Sequence, residues 1–419
     1  MVVPLLVAAT VLILAFCCRK LQYIRFRQHA QFPQLPASLV FGHLKTFGDF
    51  IKRNKPGAHA DLAIVAMNRV LGRPSLMFLD LCLINDPMVV GEEWKRLHNR
   101  FNPEFAPQHL VTFVPHILDN GPIFLARLDS LCGSRAPFPL VLLDAYQGEY
   151  LNLPWLLTIR RVRKRAALAS QINSLLQAIV RRKLARLHEG TGDRDTNTRS
   201  ILALSLQAIS TLTSKIVDEM CDQLHTFLFA GHDTTSTLLP WVLYELSRTP
   251  HILRAVRSEL DYHFGPEASP TVMHAQLVGR EDPAQQMPYI SALIKESLRL
   301  HPPGDTARVI PPGSNYRVRM PDGAQQCLDG LLPYNCQSII HTDPAVYSGT
   351  ADDFAPERWL ANNAGAAIPA GAWRAFERGP RNSIGQDLAT IEAPVSIAMV
   401  HRWYDFVKVG LGAGRDRPA

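Results

Sequence analysis

From Val2 to Cys18 the chain carries no charge and one hydroxyl, Thr10, and then Arg19 and Lys20 follow at once. At 1.5 Å per residue a helix over this stretch reaches about 25 Å, near the lower limit for the hydrocarbon core of a bilayer. Positive charge after the apolar run, not before it, is the order of a retained anchor rather than a cleaved signal. The expectation is one N-terminal transmembrane helix. Phe32-Pro33-Gln34-Leu35-Pro36 and Gly42-His43 come next, and fixed proline φ angles make this a stiff extended connector. Further on, Trp94 to Leu110 starts as a helix and breaks at Pro103. Leu157 to Leu187 has a helical period, with Leu175, Ile179 and Leu184 on the apolar side. Glu189 to Thr198 is polar and glycine-containing, a loop. Ile201 to Ser247 is helical, and Pro288 to Leu300 is a short helix stopped by Pro302. Between Val309 and Cys336, β-branched residues, prolines and Asp322-Gly323 predict hairpins. Ala361 to Arg374 has little periodicity, and Ile384 to Val400 is helical again. No internal repeat interrupts this order.

Composition narrows the function classes. The 47% hydrophobic and 19% charged content is globular, and 31 prolines point to ordered connectors between helices. The net charge of +7 is concentrated at Arg19, Lys20, Arg25 and Arg27, and again at Arg160–Arg165 and Arg181–Arg186. Neither run is interleaved with aromatics as a single-strand groove would be. Anionic lipid or an acidic protein suits the first, and a solvated helix face describes the second. Nucleic acid is not expected. The seven cysteines include no CxxC pair, so neither a disulfide framework nor a zinc site is indicated.

The chemistry-bearing motifs come in one order. Glu296-Ser297-Leu298-Arg299 places an acid and a base at i and i+3 on one helix face. Phe354-Ala355-Pro356-Glu357-Arg358-Trp359 follows, and then Phe376-Glu377-Arg378-Gly379-Pro380-Arg381-Asn382-Ser383-Ile384-Gly385-Gln386. Upstream stands Ala230-Gly231-His232-Asp233-Thr234-Thr235-Ser236. This ordered set, ExxR, PER and an FxxGxRxCxG-like loop, resembles the signature of the cytochromes P450, and fungal members in particular. Ser383 stands where that family has its iron-ligating cysteine.

The resemblance implies a mainly α cytochrome P450 fold with a small β region, preceded by the transmembrane helix. It divides the chain into an anchor at 1–19, a basic, proline-rich linker at 20–43 and a haem domain at 44–419. That domain is shorter than a full family member, with gaps near 90–91 and 133–152. Glu296, Arg299 and Arg358 would form a buried charge triad, in which each desolvated charge needs the others. Phe376, Gly379, Arg381 and Gly385 would frame the haem. Trp94, His98 and Arg308 would reach its propionates. Gly231 would open the helix, and Asp233 and Thr234 would be catalytic in proton delivery. The implied cofactors are haem and, through a partner reductase, NADPH.

Ser383 departs from the pattern. A thiolate forms readily beside iron and pushes electron density onto it, whereas a serine hydroxyl stays neutral. It would coordinate weakly, leave the place to water, or be displaced. Ser383-Ile384-Gly385-Gln386 also fits the S-x-x-Q capping box at the start of the last helix. Three residues separate Gly379 from Ser383, so the loop is not a G-x-S-x-G hydrolase elbow. The expected function is a haem-dependent monooxygenase of a lipophilic small molecule, in secondary metabolism, held at the endoplasmic reticulum membrane with its catalytic domain in the cytosol. The alternative is a catalytically impaired haem-binding scaffold.

Overall fold

The structure, a computed structural model, describes residues 2–53, 60–72, 100–132, 159–188, 200–207, 209, 213–266, 269–278, 286–320, 322–360, 368–369 and 371–407. The expected gaps near 90–91 and 133–152, with Trp94 and His98, lie outside them. The chain divides into two compact units, Met1–Val89 with Asp305–Ile340, and Val90–Gly304 with His341–Ala419.

In the first unit, α1 (Val2–Phe26) continues past Arg19 and Lys20, because no glycine or proline interrupts the run after Pro4. Arg25 is buried in its last turn and donates to the Val40 carbonyl at 3.3 Å. Among the described residues no helix is long and apolar enough to cross a membrane. The stretch expected to anchor the chain, 1–19, belongs from Val2 onward to this 25-residue helix, which ends in charged turns. The proline connector is held by side chains: the His43 ring donates to the Leu35 carbonyl at 2.7 Å, and Thr46 Oγ1 to that of Pro36 at 2.8 Å. Helices α2 (Leu44–Arg53) and α3 (Ala60–Val70) follow.

The expected hairpin region forms two antiparallel pairs, β1 (Thr306–Ala307) with β4 (Tyr334–Asn335) and β2 (Arg317–Arg319) with β3 (Gln325–Cys327). Asp322 Oδ1 accepts from Ala324 N, and Gly323 takes φ +85°, so this turn needs both residue types. Phe32, Ile310 and Leu328 make a small core. Tyr334 Oη lies 3.0 Å from Asp61 and 2.9 Å from Asp305, so two carboxylates share one phenolic proton. Burial, and then Asp61 beside it, pushes the Asp305 carboxyl up to about 7.

The main described helices of the second unit are α4 (Val114–Cys132), α5 (Ile159–His188), α6 (Ile201–Gln207), α7 (Ser214–Arg248), α8 (Pro250–Phe264), α9 (Pro270–Val278), α10 (Pro288–Leu300) and α11 (Gln386–His401). The single helix expected over Ile201–Ser247 is two, because Thr213 caps a new start, its Oγ1 accepting from Ile216 N at 3.3 Å. Pro250 and Pro288 each sit in a first turn, where the missing N–H costs nothing. The α10 start is also capped from outside. Both Glu259 carboxylate oxygens accept its first amides, Tyr289 N at 2.7 Å and Ile290 N at 2.9 Å. The main core gathers Leu118, Val242, Leu246, Ile252, Leu260, Leu293 and Ile397 from these helices. A second core joins α5 to α6 and α7 through Leu176, Val180, Leu206 and Met220.

Candidate functional site

The most completely buried charges in the second unit lie on α10. Glu296 and Arg299 are both 0% exposed. Arg299 donates through Nε to Glu296 Oε2 at 2.9 Å and through Nη2 to Oε1 at 2.8 Å, a two-pronged pair. Its remaining protons meet backbone carbonyls of His341 at 2.8 Å, Ala351 at 2.6 Å and Asp353 at 2.8 Å. Arg358 Nε donates to Glu296 Oε1 at 3.0 Å. Trp359 Nε1 reaches Oε2 at 2.8 Å, and Ala355 N reaches Oε1 at 2.9 Å. The structure therefore brings Glu296, Arg299 and Arg358 together, with Trp359 as a fourth member that charge pairing alone would not name. Tyr347 lies under both guanidiniums, 4.8 Å from Arg299 and 5.8 Å from Arg358.

From this cluster a chain of contacts leads to the loop before α11. Buried His341 donates from Nδ1 to the Arg299 carbonyl at 3.1 Å and accepts at Nε2 from Arg374 N at 2.9 Å. These two bonds fix the neutral tautomer. Trp373 donates to the Lys295 carbonyl at 3.1 Å and packs on Phe376, with ring centroids 6.0 Å apart. Arg374 and Glu377 pair at 2.9 Å, and Glu377 takes φ +59°. Gly379, at φ +79°, starts a 3-10 turn through Arg381. Ser383 N then donates to the Phe376 carbonyl at 2.8 Å and closes the loop.

Burial, chiefly, lowers the His341 imidazole to about 4. The folded chain holds it neutral while the unfolded chain protonates it near 6.5, so its contribution is complete above that pH and fades as pH falls towards 4. The loss is worth about 3 kcal/mol. The thermal midpoint is expected to drop between pH 7 and pH 5. His341→Gln, which can also donate and accept, should flatten that slope. An unchanged slope in the variant would remove His341 from this role.

Ser383 itself is exposed, and its hydroxyl has no hydrogen-bond partner among the described residues. The capping-box expectation is corrected. Helix α11 starts at Gln386 with Gly385 as its cap residue and no side-chain cap. The turn at Ile384–Gly385 separates Ser383 from the first helical amides, and its carbonyl accepts from Gln386 N at 3.3 Å instead.

On α7, the middle of the helix is open. Leu228, Phe229, Ala230 and Gly231 are exposed, although buried residues precede and follow them. A Cβ added at Gly231 would meet nothing within 4 Å. Asp233 Oδ1 lies 3.0 Å from His232 Nδ1, and Thr234 Oγ1 donates to the Ala230 carbonyl at 2.7 Å. Arg308 belongs to the first unit, where it is exposed and donates to the Ala307 carbonyl at 2.9 Å.

The group that the family resemblance implies for this site is a haem. The exposed Ala230–Gly231 turn, open at Gly231 and followed by a carboxylate and a hydroxyl, suits a flat hydrophobic ring. So does a loop that presents an unpartnered hydroxyl and Arg381. The residue types present fit such a ring, and the loop offers a serine hydroxyl and no thiol.

Comparison with known proteins bears on the family. The family model for cytochrome P450 matches residues 141–409. The cytochrome P450 monooxygenase polC of Polytolypa hystricis is 28% identical over 359 residues, 75% of this chain and 63% of that protein. The cytochrome P450 monooxygenase acrF of Aspergillus aculeatus is 28% identical over 366 residues, covering 75% and 72%. A bifunctional cytochrome P450/NADPH–P450 reductase of Gibberella moniliformis is 34% identical over 191 residues, 46% of this chain and 16% of the longer protein. The chain thus spans less than two thirds of polC.

Proposed function

The chain belongs to the cytochrome P450 family, and from that premise we propose that it is a haem-dependent monooxygenase of a lipophilic small molecule in fungal secondary metabolism. The observation that carries this reading is the continuous linkage from the Glu296–Arg299–Arg358 cluster through His341 and Arg374 to the Phe376–Gly385 loop. Phe376, Gly379, Arg381 and Gly385 would hold the haem on the loop side, with Ser383 facing the iron as a weak oxygen ligand. Arg308, by the family resemblance, and Trp94 and His98, outside the described residues, would serve the propionates. Haem, when bound, supplies the dioxygen chemistry.

The chain's own part is positional and acid–base. Gly231 leaves room on α7. Thr234 holds its hydroxyl against the Ala230 carbonyl and keeps lone pairs free to accept a water. Asp233, paired with the exposed His232, can pass a proton inward from solvent. Electrons would come from a separate NADPH-dependent reductase. The reductase fused in the Gibberella relative is the support for that partner.

Attachment to the endoplasmic reticulum membrane, with the body in the cytosol, is part of the proposal. Its support is the exposed apolar run Val11–Leu14 with Phe16 on α1, followed by Arg19 and Lys20. The deciding measurement is spectral. The purified chain should take up haem, and its reduced carbon-monoxide complex should lack the red-shifted band of a thiolate ligand. A thiolate band would replace Ser383 as the ligand, and a chain that folds without haem uptake would defeat the proposal. Haem uptake with no substrate oxidation under reductase and NADPH would leave a haem-binding scaffold.

A further inference from the structure

A cavity of about 500 Å³ opens in the second unit among α4, α6, α7 and α11. None of its wall residues belongs to the Phe376–Gly385 loop or to Ala230–Thr234, although Glu392 in its wall is bonded to Thr235, the neighbour of Thr234. The size lies within the range of small-molecule sites, and a gap between helices of a bundle is a usual place for one. Its walls are largely apolar, with Ile117, Leu239, Leu243 and Val400 among them, and His116 and Asn120 stand at its exposed rim.

One carboxyl group breaks the apolar lining. Glu392, on α11, takes a hydrogen bond from the Thr235 hydroxyl and has no cationic partner among the described residues. Burial pushes its carboxyl above the ordinary range, the mark of a charge that nothing nearby compensates. His401, also in the wall, is held neutral, lowered to about 4 by burial and then by Arg257. The cavity therefore offers hydrophobic surface and an unneutralised acid, with no fixed positive charge in its lining.

We propose that this cavity binds a lipophilic amine, its ammonium group against Glu392 and its hydrocarbon body against Ile117, Leu239, Leu243 and Val400. A cation fits better than an alcohol because it supplies the counter-charge that Thr235 cannot. The inference does not depend on haem or on its ligand.

Calorimetry on the purified full chain would use 1-aminoadamantane and its neutral counterpart 1-adamantanol as probes. The amine is expected to bind about tenfold or more tightly than the alcohol, since charge-assisted hydrogen bonds are roughly twice as strong as neutral ones. Glu392→Gln should remove that preference and leave the alcohol's affinity in place. Leu243→Trp, which fills the cavity, should abolish binding of both. An amine-to-alcohol ratio near one in the unaltered chain overturns the proposal without any variant. So does amine binding that survives both substitutions, or that tracks a change in the haem spectrum, which would place the amine at iron.

Discussion

Replacing Arg299 by alanine is expected to cost about 3–5 kcal/mol, a large part of a typical total of about 5–15 kcal/mol. The magnitude follows from what the side chain satisfies. It is fully buried, pairs with both oxygens of Glu296 and caps three backbone carbonyls. Alanine removes the donor to the His341 and Ala351 carbonyls, leaves that of Asp353 with Arg358 Nη2 at 3.4 Å, and leaves Glu296 with one guanidinium instead of two. Arg299→Lys should recover little, because one ammonium cannot span a two-pronged carboxylate and three carbonyls. Arg358→Ala should be milder. Its side chain is 13% exposed, so water can replace its bond to Glu296. Urea unfolding followed by circular dichroism should rank the variants in that order. A midpoint for Arg299→Ala close to the unaltered chain's would show that the cluster does not hold this unit together.

That ranking was legible in the sequence only in part. The i and i+3 spacing of Glu296 and Arg299 sets their pairing on any helix, and proline at 288 and 302 marks the bounds of α10. The backbone carbonyls of Ala351 and Asp353 carry no side-chain signal, so the reason Arg299 outranks Arg358 is not written in the motif. His341 is a lone histidine many residues from either motif. Its tautomer and lowered pKa come from folding alone. Trp359, directly after Arg358, could have been suspected from its place in the PER segment. The cap of α10 by Glu259 joins positions that no local pattern relates.

Local pattern also misled in two places. Ser383-x-x-Gln386 satisfies the capping box by composition, yet the turn at Ile384–Gly385 intervenes and the helix starts at Gln386. The long apolar period from Ile201 hid a break because Thr213 reads equally well as a helix-interior residue and as a cap. In both cases a short hydroxyl side chain had two local uses, and only the backbone path decided between them.

Ser383→Cys is expected to produce the largest change in activity. The substitution should be nearly neutral for the fold. Ser383 is exposed, its hydroxyl has no partner among the described residues, and the loop closes through its backbone N–H to Phe376, which cysteine retains. Its chemistry changes sharply. A cysteine thiol ionises near 8.5 in water and lower beside a metal, and the resulting thiolate donates electron density that a neutral hydroxyl withholds. The reduced carbon-monoxide complex of the variant should gain the red-shifted thiolate band. Reductase-supported oxidation of a lipophilic test substrate should rise by about a hundredfold or more, a barrier change of roughly 3 kcal/mol. The urea midpoint should stay where it is, which separates a ligand effect from a folding effect. If the spectrum does not move although the variant is folded and haem-loaded, residue 383 does not face the iron. The Phe376–Gly385 loop would then lose its place in the proposed site.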